Sequence, residues 1–377
     1  MTNILISGAS VAGTATAYWL RRHGFTVTVV ERAPAIRMGG YKVDVRGAAL
    51  DVLDRMGLLE AVRARSTEMT VATNYDAKGR KVATMDADLF GGRMDGDDEL
   101  MRGDLTQLLY EATRNDVEYV FGDSITSIGE DGTVTFERSA PRRFDYVVGA
   151  DGVHSNVRRL AFGEEKTFAR DLGYQIAIAT VPNHLGLDRE EAVHLAPGRT
   201  VNVYSTKQDT NAKALFMWSG EEDLFTAFAG VGWETPKLLD AVRQAPDLYR
   251  DTLTQIHMDR WSKGRVVLVG DAGYCASPAS GQGTSLALVG AYVLAGELAA
   301  GSLEGYEREM RHFVAENQKL GPVNIKGIVL NSKGMIWFQL RMIKLLPRLP
   351  WKNAVIDRIA GGIRRAANAI SLKKFVE

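Results

Sequence analysis

The sequence contains a single cysteine, Cys275, which excludes an internal disulfide and a cysteine-built metal site. Excess charge of either sign is missing, since 46 Lys and Arg balance 46 Asp and Glu. A neutral chain lacks the basic excess that a nucleic-acid surface requires. Six histidines in 377 residues show neither HxxxH nor HExxH spacing. Long apolar runs are absent too. The longest, Ser285 to Gly301, contains Glu297 and is short for a bilayer span. No repeat, low-complexity segment or signal-like leader stands out. These absences predict a reduced, cytoplasmic, monomeric globular protein without nucleic-acid or stable membrane association.

The chain does have glycine-rich turns set between apolar strands and helices. The most developed is Gly264 to Leu294, GRVVLVGDAGYCASPASGQGTSLALVGAYVL. Val266 to Val269 is a β-branched run suited to a strand buried on both faces. Gly270-Asp271 ends it, and a loop through Pro278, Ser280, Gly281, Gln282 and Gly283 leads to a helix near Thr284. Such a loop lets a ligand approach the backbone, and the helix start adds free N–H groups and a positive dipole end. Asp271 suits a sugar-like hydroxyl; its plain alternative is a capping residue.

The N-terminus carries the second such unit. Asn3 to Ser7 reads as a strand, Gly8-Ala9-Ser10-Val11-Ala12-Gly13 as the turn, Thr14 to His23 as a helix, and Thr26 to Val30 as a second strand ending at Glu31-Arg32. This βαβ pattern, with an acid after the second strand, has the physics of a dinucleotide site. Ser10 stands where the strict fingerprint has its middle glycine. Arg46, in Asp44-Val45-Arg46-Gly47, is either a phosphate or ring contact or a surface arginine. Arg102 opens a helix predicted from Leu100 to about Asn115, where it opposes the dipole and needs a partner. Phe90 to Asp98 is read as a loop. A third glycine-rich strand end, Gly149 to Ser155, includes Asp151.

From Leu172 the pattern becomes strand-like: Gly173–Thr180, Glu191–Leu195, Thr200–Ser205, Ala212–Trp218 and Leu224–Gly232. These predict an inserted antiparallel sheet with Tyr174, Tyr204, Phe216, Trp218 and Phe228 on one face, as core or as the wall of a pocket for a flat substrate. After Gly301 helices are expected over Leu303–Leu320, with a break at Pro322, then Ile325–Leu346. A last basic amphipathic helix, Lys352–Ser371, carries Ile356, Ile359, Ile363, Ala367 and Ile370 and is expected to dock on its own protein.

Three motifs in this order, GASVAG (8–13), GADGVHS (149–155) and GDAGYCASPASGQG (270–283), resemble those of the single-component FAD-dependent aromatic hydroxylases with the para-hydroxybenzoate hydroxylase fold. Further stretches, DVRG (44–47), LMRGDL (100–105), VPNHLGL (181–187) and GWET (232–235), resemble the tetracycline-inactivating flavin monooxygenases within that group. The resemblance covers nearly the whole chain. It implies an α/β fold: a Rossmann-like FAD-binding domain (1–67, 99–170, 258–321), an inserted antiparallel substrate domain (68–98, 171–257), and a C-terminal helical segment (322–377) closing the substrate opening.

By the same resemblance, Gly8, Ser10, Val11, Ala12, Gly13, Glu31 and Arg32 hold the adenosine diphosphate part of FAD, and Arg46 and Arg102 contact the flavin half. Asp151 lies near the flavin and the NADPH approach, and Asp271 binds the ribityl chain. Pro278, Gly281, Gln282, Gly283 and Thr284 lie along the ring. Tyr174, Gln175, Tyr204, Phe216, Trp218, Phe228, Pro278 and Ser280 are the expected substrate contacts. Tyr274 departs from the family's GDAAH pattern, standing where that has histidine. No side chain is expected to carry the chemistry and no metal is expected. The implied reaction uses NADPH to reduce FAD, and a flavin C4a-hydroperoxide then hydroxylates a polycyclic phenolic or enolic compound, tetracycline being the sharp form. A polyketide-tailoring hydroxylase is the alternative, and a non-oxygenating flavoprotein of this fold a more distant one. A halogenase is disfavoured because W-x-W-x-I-P is absent.

Overall fold

The computed structural model describes residues 2–93, 96–207, 210–346, 349–350 and 352–375, with 352–359 described by their helical backbone only. Two sheets organise it. The first has six strands in the order Ser262–Lys263, Val266–Leu268, Tyr146–Gly149, Asn3–Ser7, Thr26–Glu31, Glu118–Phe121. All neighbours are parallel except the short edge strand Ser262–Lys263. Its central strands are Val- and Ile-rich because helices cover both faces. Helix α1 (Val11–Arg22) follows the first strand, and helix α2 (Gly283–Ala299) packs beside it. Nearly every residue of α2 is buried, so its apolar character runs all round rather than along one stripe.

The second sheet has seven strands in the order Tyr249–Ile256, Ala169–Val181, Ala212–Ser219, Arg199–Ser205, Glu190–Ala196, Val71–Tyr75, Lys81–Asp86. It is antiparallel except where Glu190–Ala196 meets Val71–Tyr75. One face buries Ala177, Val201, Ala214, Phe216 and Trp218 under Leu224, Phe228 and the helix Thr235–Gln244. The opposite face carries Ile176, Ile178, Leu215 and Met217 and looks toward Ala279 in the glycine-rich loop and Ile325 in helix α3 (Leu303–Ile328).

Register therefore splits the predicted aromatic stripe. Gln175 pairs with Trp218, and Ala177 with Phe216, so these point to the far face with Phe228. Tyr174 joins Ile176 and Ala279 on the loop-facing side, and Tyr204 joins Ile178 and Leu215 there. Phe216 and Trp218, buried and each in edge-to-face contact with the buried Phe228, belong to a closed core rather than a ligand wall. Gln175 shares their side of the strand and faces away from the loop.

Other elements differ from expectation. Leu224–Gly232 is not a strand: Asp223 accepts from the Phe225 and Thr226 amides and caps the helix Leu224–Ala227. Leu100 and Met101 end a strand, Asp98–Met101, before the helix Arg102–Glu111 begins. Ala87–Gly91 is a short helix inside the stretch read partly as loop, of which residues 94 and 95 lie outside the described residues. Helix α3 continues through Pro322, where a break and a segment boundary were expected, and helix α4 (Lys333–Leu345) follows as a separate piece. Pro347 and Arg348 lie outside the described residues.

The last helix, α5 (Lys352–Ala367), and the tail to Phe375 pack on the first unit. Asn317 Nδ2 donates to the Ala366 carbonyl at 3.0 Å, and a Cβ on Gly47 would stand 2.5 Å from the Ala367 oxygen. Lys373 pairs with Glu297 and Glu309 at 2.9 and 2.8 Å, while Phe375 covers Gly296 and meets the Tyr292 ring. In the predicted apolar stripe, Ala367 is buried and Ile363 reaches toward Gly92, whereas the Ile356 and Ile359 side chains lie outside the described residues.

The far-face core sets the first expected outcome. Phe216→Ala should lose about 3–5 kcal/mol of unfolding free energy, the usual cost of emptying a buried aromatic position. Flavin content of the folded fraction should stay unchanged. Lost flavin with unchanged urea stability would place Phe216 in a ligand wall instead.

Candidate cofactor and substrate site

The adenosine end forms where the first strand meets α1. Gly8 has φ 107°, and a Cβ there would lie 2.6 Å from the Ala150 oxygen; one on Gly13 would lie 1.8 Å from the Gly8 oxygen. Only glycine permits these two approaches. Glu31 accepts from the Ala9 amide at 2.8 Å and the Ala33 amide at 2.9 Å, which fixes its carboxylate at the mouth of the turn. A groove beside it is lined by Ser10, Glu31, Ile36, Arg37, Arg102 and Thr106. Val11 is buried behind the turn, Ala12 abuts Gly270, and Arg32 is exposed just past the strand.

Ser10 occupies the N-cap position of α1 but makes no cap; its hydroxyl instead accepts from Arg102 Nη1 at 3.2 Å. Arg102 also donates to the Gly39 carbonyl at 3.1 Å, and a Cβ on Gly40 would strike it at 2.7 Å. This guanidinium thus lies beside the uncapped N-terminus of α1, an arrangement that concentrates positive potential where a diphosphate would sit.

The flavin end is built by the loop before α2. The amides opening α2 receive no side-chain cap, and the first turn holds no acid. Gln282 is fully buried, yet neither its Nε2 nor its Oε1 has a partner. A buried unsatisfied amide is costly, and this one sits at a glycine-rich helix start. Both features fit the hydrogen-bonding edge of an isoalloxazine ring. Ser280 is turned into the loop, donating to the Ser277 carbonyl at 2.8 Å and accepting from the Gln282 amide at 3.1 Å. Pro278 and Gly281 stay exposed and Thr284 half-buried. The Asp271 carboxyl is pushed up by burial, with Cys275 and Arg102 opposing. Burial pushes the nearby Tyr41 phenol up to about 12, and the Asp271 carboxylate adds to it.

Three further motif residues are held by the protein itself. Arg46 is buried rather than at the surface, donating to the Gly91 and Gly92 carbonyls at 2.7 and 3.1 Å and pairing with Asp44 at 2.7 Å; only its Nε lacks a partner. Asp151 turns inward, accepting from the Ser155 hydroxyl and from the Val157 amide at 2.9 Å, so it holds the start of the helix Asn156–Ala161. Burial nevertheless raises its pKa. Tyr274 is buried with its hydroxyl 2.9 Å from that of Tyr306, in space that a Cβ on Gly290 would fill. It is a packing residue.

The sequence reading missed an ionic network joining a small ribbon, Lys42–Val45 with Asp98–Met101, to the seven-stranded sheet. Lys42 donates to Glu191 and lies 3.0 Å from Glu99; Arg93 donates to Glu99 and lies 3.4 Å from Asp44. Burial works against the Lys42 ammonium, but Glu191 and then Glu99 outweigh it and raise its pKa. Burial likewise opposes Glu99 ionisation, but Lys42 and Arg93 prevail and lower its pKa. Asn202 donates to Glu191 at 2.7 Å while its Oδ1, like Asn74 Nδ2, has no partner. Lys42 and Glu191 are 149 positions apart, so no local pattern announces the pair.

Fold and site together define an FAD-dependent monooxygenase of the para-hydroxybenzoate hydroxylase type. The chain belongs to the FAD binding domain family, whose model matches residues 1–310. It is 49% identical to an uncharacterized protein of Mycobacterium tuberculosis over 87% of this chain and 94% of that one. It is 38% identical to a flavin-dependent monooxygenase of an unknown prokaryotic organism, covering 84% and 88%. Among solved structures, the tetracycline destructase Tet(51) superposes with a TM-score of 0.85 at 32% identity, over 100% of this chain and 99% of that one.

Two outcomes follow from the geometry. Glu31→Gln should weaken FAD binding about tenfold or more, the scale of a charged hydrogen bond, as read by flavin fluorescence titration of the apoprotein. An unchanged Kd would remove Glu31 from the site. At the second of the three motifs, His154 pairs with Glu165 at 2.9 Å and Asp251 at 3.2 Å. Burial works against the imidazolium, but these partners raise its pKa above the ordinary 6.5. The pairing therefore stabilises the fold fully below about 6.5 and loses that effect as pH rises through the folded value. In His154→Gln, the stability difference between about pH 6 and about pH 8 should shrink relative to wild type in urea unfolding; an identical difference would refute the pairing.

Proposed function

We propose that this monooxygenase uses NADPH and O2 to hydroxylate a flat polycyclic phenolic or enolic compound, with tetracycline inactivation, and hence antibiotic resistance, as its sharp form. The observation that carries the reading is the likeness to Tet(51) along the whole chain, C-terminal helices included. The loop-facing side of the seven-stranded sheet supports it. Ile176, Leu215 and Met217 make an apolar patch of this sheet that meets Ala279 of the loop and Ile325 of α3, a setting suited to a flat ring system.

FAD, when bound, supplies the redox and oxygen chemistry. The protein's part is to bind, orient and keep water out. Glu31 accepts from the adenosine ribose, while Ser10, Arg102 and the α1 amides hold the diphosphate. Asp271 meets the ribityl hydroxyls. Gln282 and the free amides at the start of α2 hold the ring edge, and their dipole favours negative charge there. Helix α3 steadies the loop, since Asn324 Nδ2 donates to the Ala279 carbonyl at 3.1 Å. The C-terminal segment closes the substrate opening and limits water entry.

The test mixes FAD-loaded protein with NADPH and oxygen, with and without a tetracycline, and follows 340 nm and the drug's own absorbance. Faster NADPH loss with a matching change in the drug chromophore is the expected result. NADPH loss without any change in the drug would sink the tetracycline form and favour another polycyclic substrate, such as one from a biosynthetic pathway. A colourless protein that takes up no FAD would overturn the reading altogether.

A further inference from the structure

Helix α4 presents an exposed face that the flavin chemistry does not use. No residue of α4 is buried. Trp337 and Phe338 are each 62% exposed, Met335 is 48% and Leu345 40%; Val323, on the neighbouring turn of α3, is 68% exposed. Isolated apolar residues on a surface are ordinary, but a cluster of large ones on a single helix marks a contact site.

Along the chain, the charge of this stretch has one sign. From Asn317 to Leu346 the chain carries Lys319, Lys326, Lys333, Arg341 and Lys344 and no acidic residue, within a protein whose total charge is zero. Lys326 and Lys333 are exposed, and among the described residues no carboxylate pairs with either. The Arg341 guanidinium lies 5.6 Å from the centre of the Trp337 ring, so cation and aromatic share one side of the helix.

We infer that α4, with the adjoining turn of α3, docks the protein on an anionic lipid bilayer. Aromatic and aliphatic side chains flanked by lysine and arginine have the composition of a helix lying in the membrane interface. The ammonium groups meet the headgroups, and Trp337 and Phe338 enter the boundary with the acyl chains. A second copy of the chain fits this face poorly, because a two-fold contact would set the same cations against each other. No helix among the described residues is long and apolar enough to cross a membrane, so the contact is one of surface binding. Helix α3 links this face to the glycine-rich loop: its Asn324 and Ile325 bond and pack on Ala279, while Val323 and Lys326 on its other side are exposed.

FAD-loaded protein is sedimented with vesicles of phosphatidylcholine alone and of phosphatidylcholine mixed with phosphatidylglycerol, at low and high salt. Pelleting with the mixed vesicles at low salt, weaker at high salt and absent with phosphatidylcholine alone, is expected. Trp337→Ser/Phe338→Ser should lower partitioning at least about tenfold. Lys326→Gln/Lys333→Gln should lower it about 10- to 30-fold and keeps the test available if the aromatic pair does not fold. Absence of pelleting at low salt, or pelleting that neither double variant weakens, would overturn the inference. So would a wild-type dimer that the aromatic variant converts to monomer, since the face would then be a contact between copies.

Discussion

Two backbone approaches hold the cofactor unit together, and both exist only because a side chain is missing. The Gly13 Cα lies against the Gly8 carbonyl, and Gly8 lies against Ala150 at the end of a neighbouring strand. Those contacts bring the first strand, α1 and Tyr146–Gly149 close enough for the α1 N-terminus to open directly above the parallel sheet. Everything downstream takes its position from that spacing. Glu31 reaches the Ala9 amide because the second strand runs beside the first, and Gly270 fits because it packs on Ala12. In each case a van der Waals distance, rather than a strong bond, decides where the polar groups point.

The seven-stranded sheet is tied to a small two-stranded ribbon through ions, while Ile256 at its edge shares the apolar core of the parallel sheet. Lys42 and Glu99, on a small two-stranded ribbon, meet Glu191 on the seven-stranded sheet, and Arg93, Asp44 and Arg46 continue the chain of charges to the Gly91 and Gly92 carbonyls. Buried ion pairs contribute little net stability, since desolvation offsets most of their attraction, but they penalise any arrangement that leaves one member alone. Such a junction specifies how the seven-stranded sheet faces the glycine-rich loop. It also keeps Asp44 near Gly281, so the network borders the flavin end directly.

Much of the architecture was legible because strand, glycine turn and helix alternate with the right periods near both the N-terminus and residues 264–294. The aromatic residues were harder to place. A strand carries no local record of which side faces the ligand, and a one-residue change of register moves Phe216 and Trp218 across the sheet. Leu224–Gly232 contains Phe225, Phe228 and Val231, so strand propensity misled where the Asp223 cap decides the conformation. The strand Tyr249–Ile256 was missed because its first half is polar and lies at a sheet edge. Arg46 and Arg102 stood out by motif, yet whether each faces a ligand or its own backbone depends on partners tens of residues away. The lysine–glutamate network left no trace at all, because long-range charge pairing has no period.

The order of strands in the parallel sheet has a consequence for how the chain is born. Val266–Leu268 is the neighbour of Tyr146–Gly149, and the Gly47 turn is covered by Ala367. While the polypeptide emerges from the ribosome, the nucleotide-binding strands therefore wait, with an open edge, through the synthesis of the five strands between 169 and 256. An open edge of Val- and Ile-rich backbone is a hazard for mispairing. The inserted sheet has its own closed core on the Phe216 side and can condense meanwhile, leaving the cofactor unit as the last part of the molecule to mature.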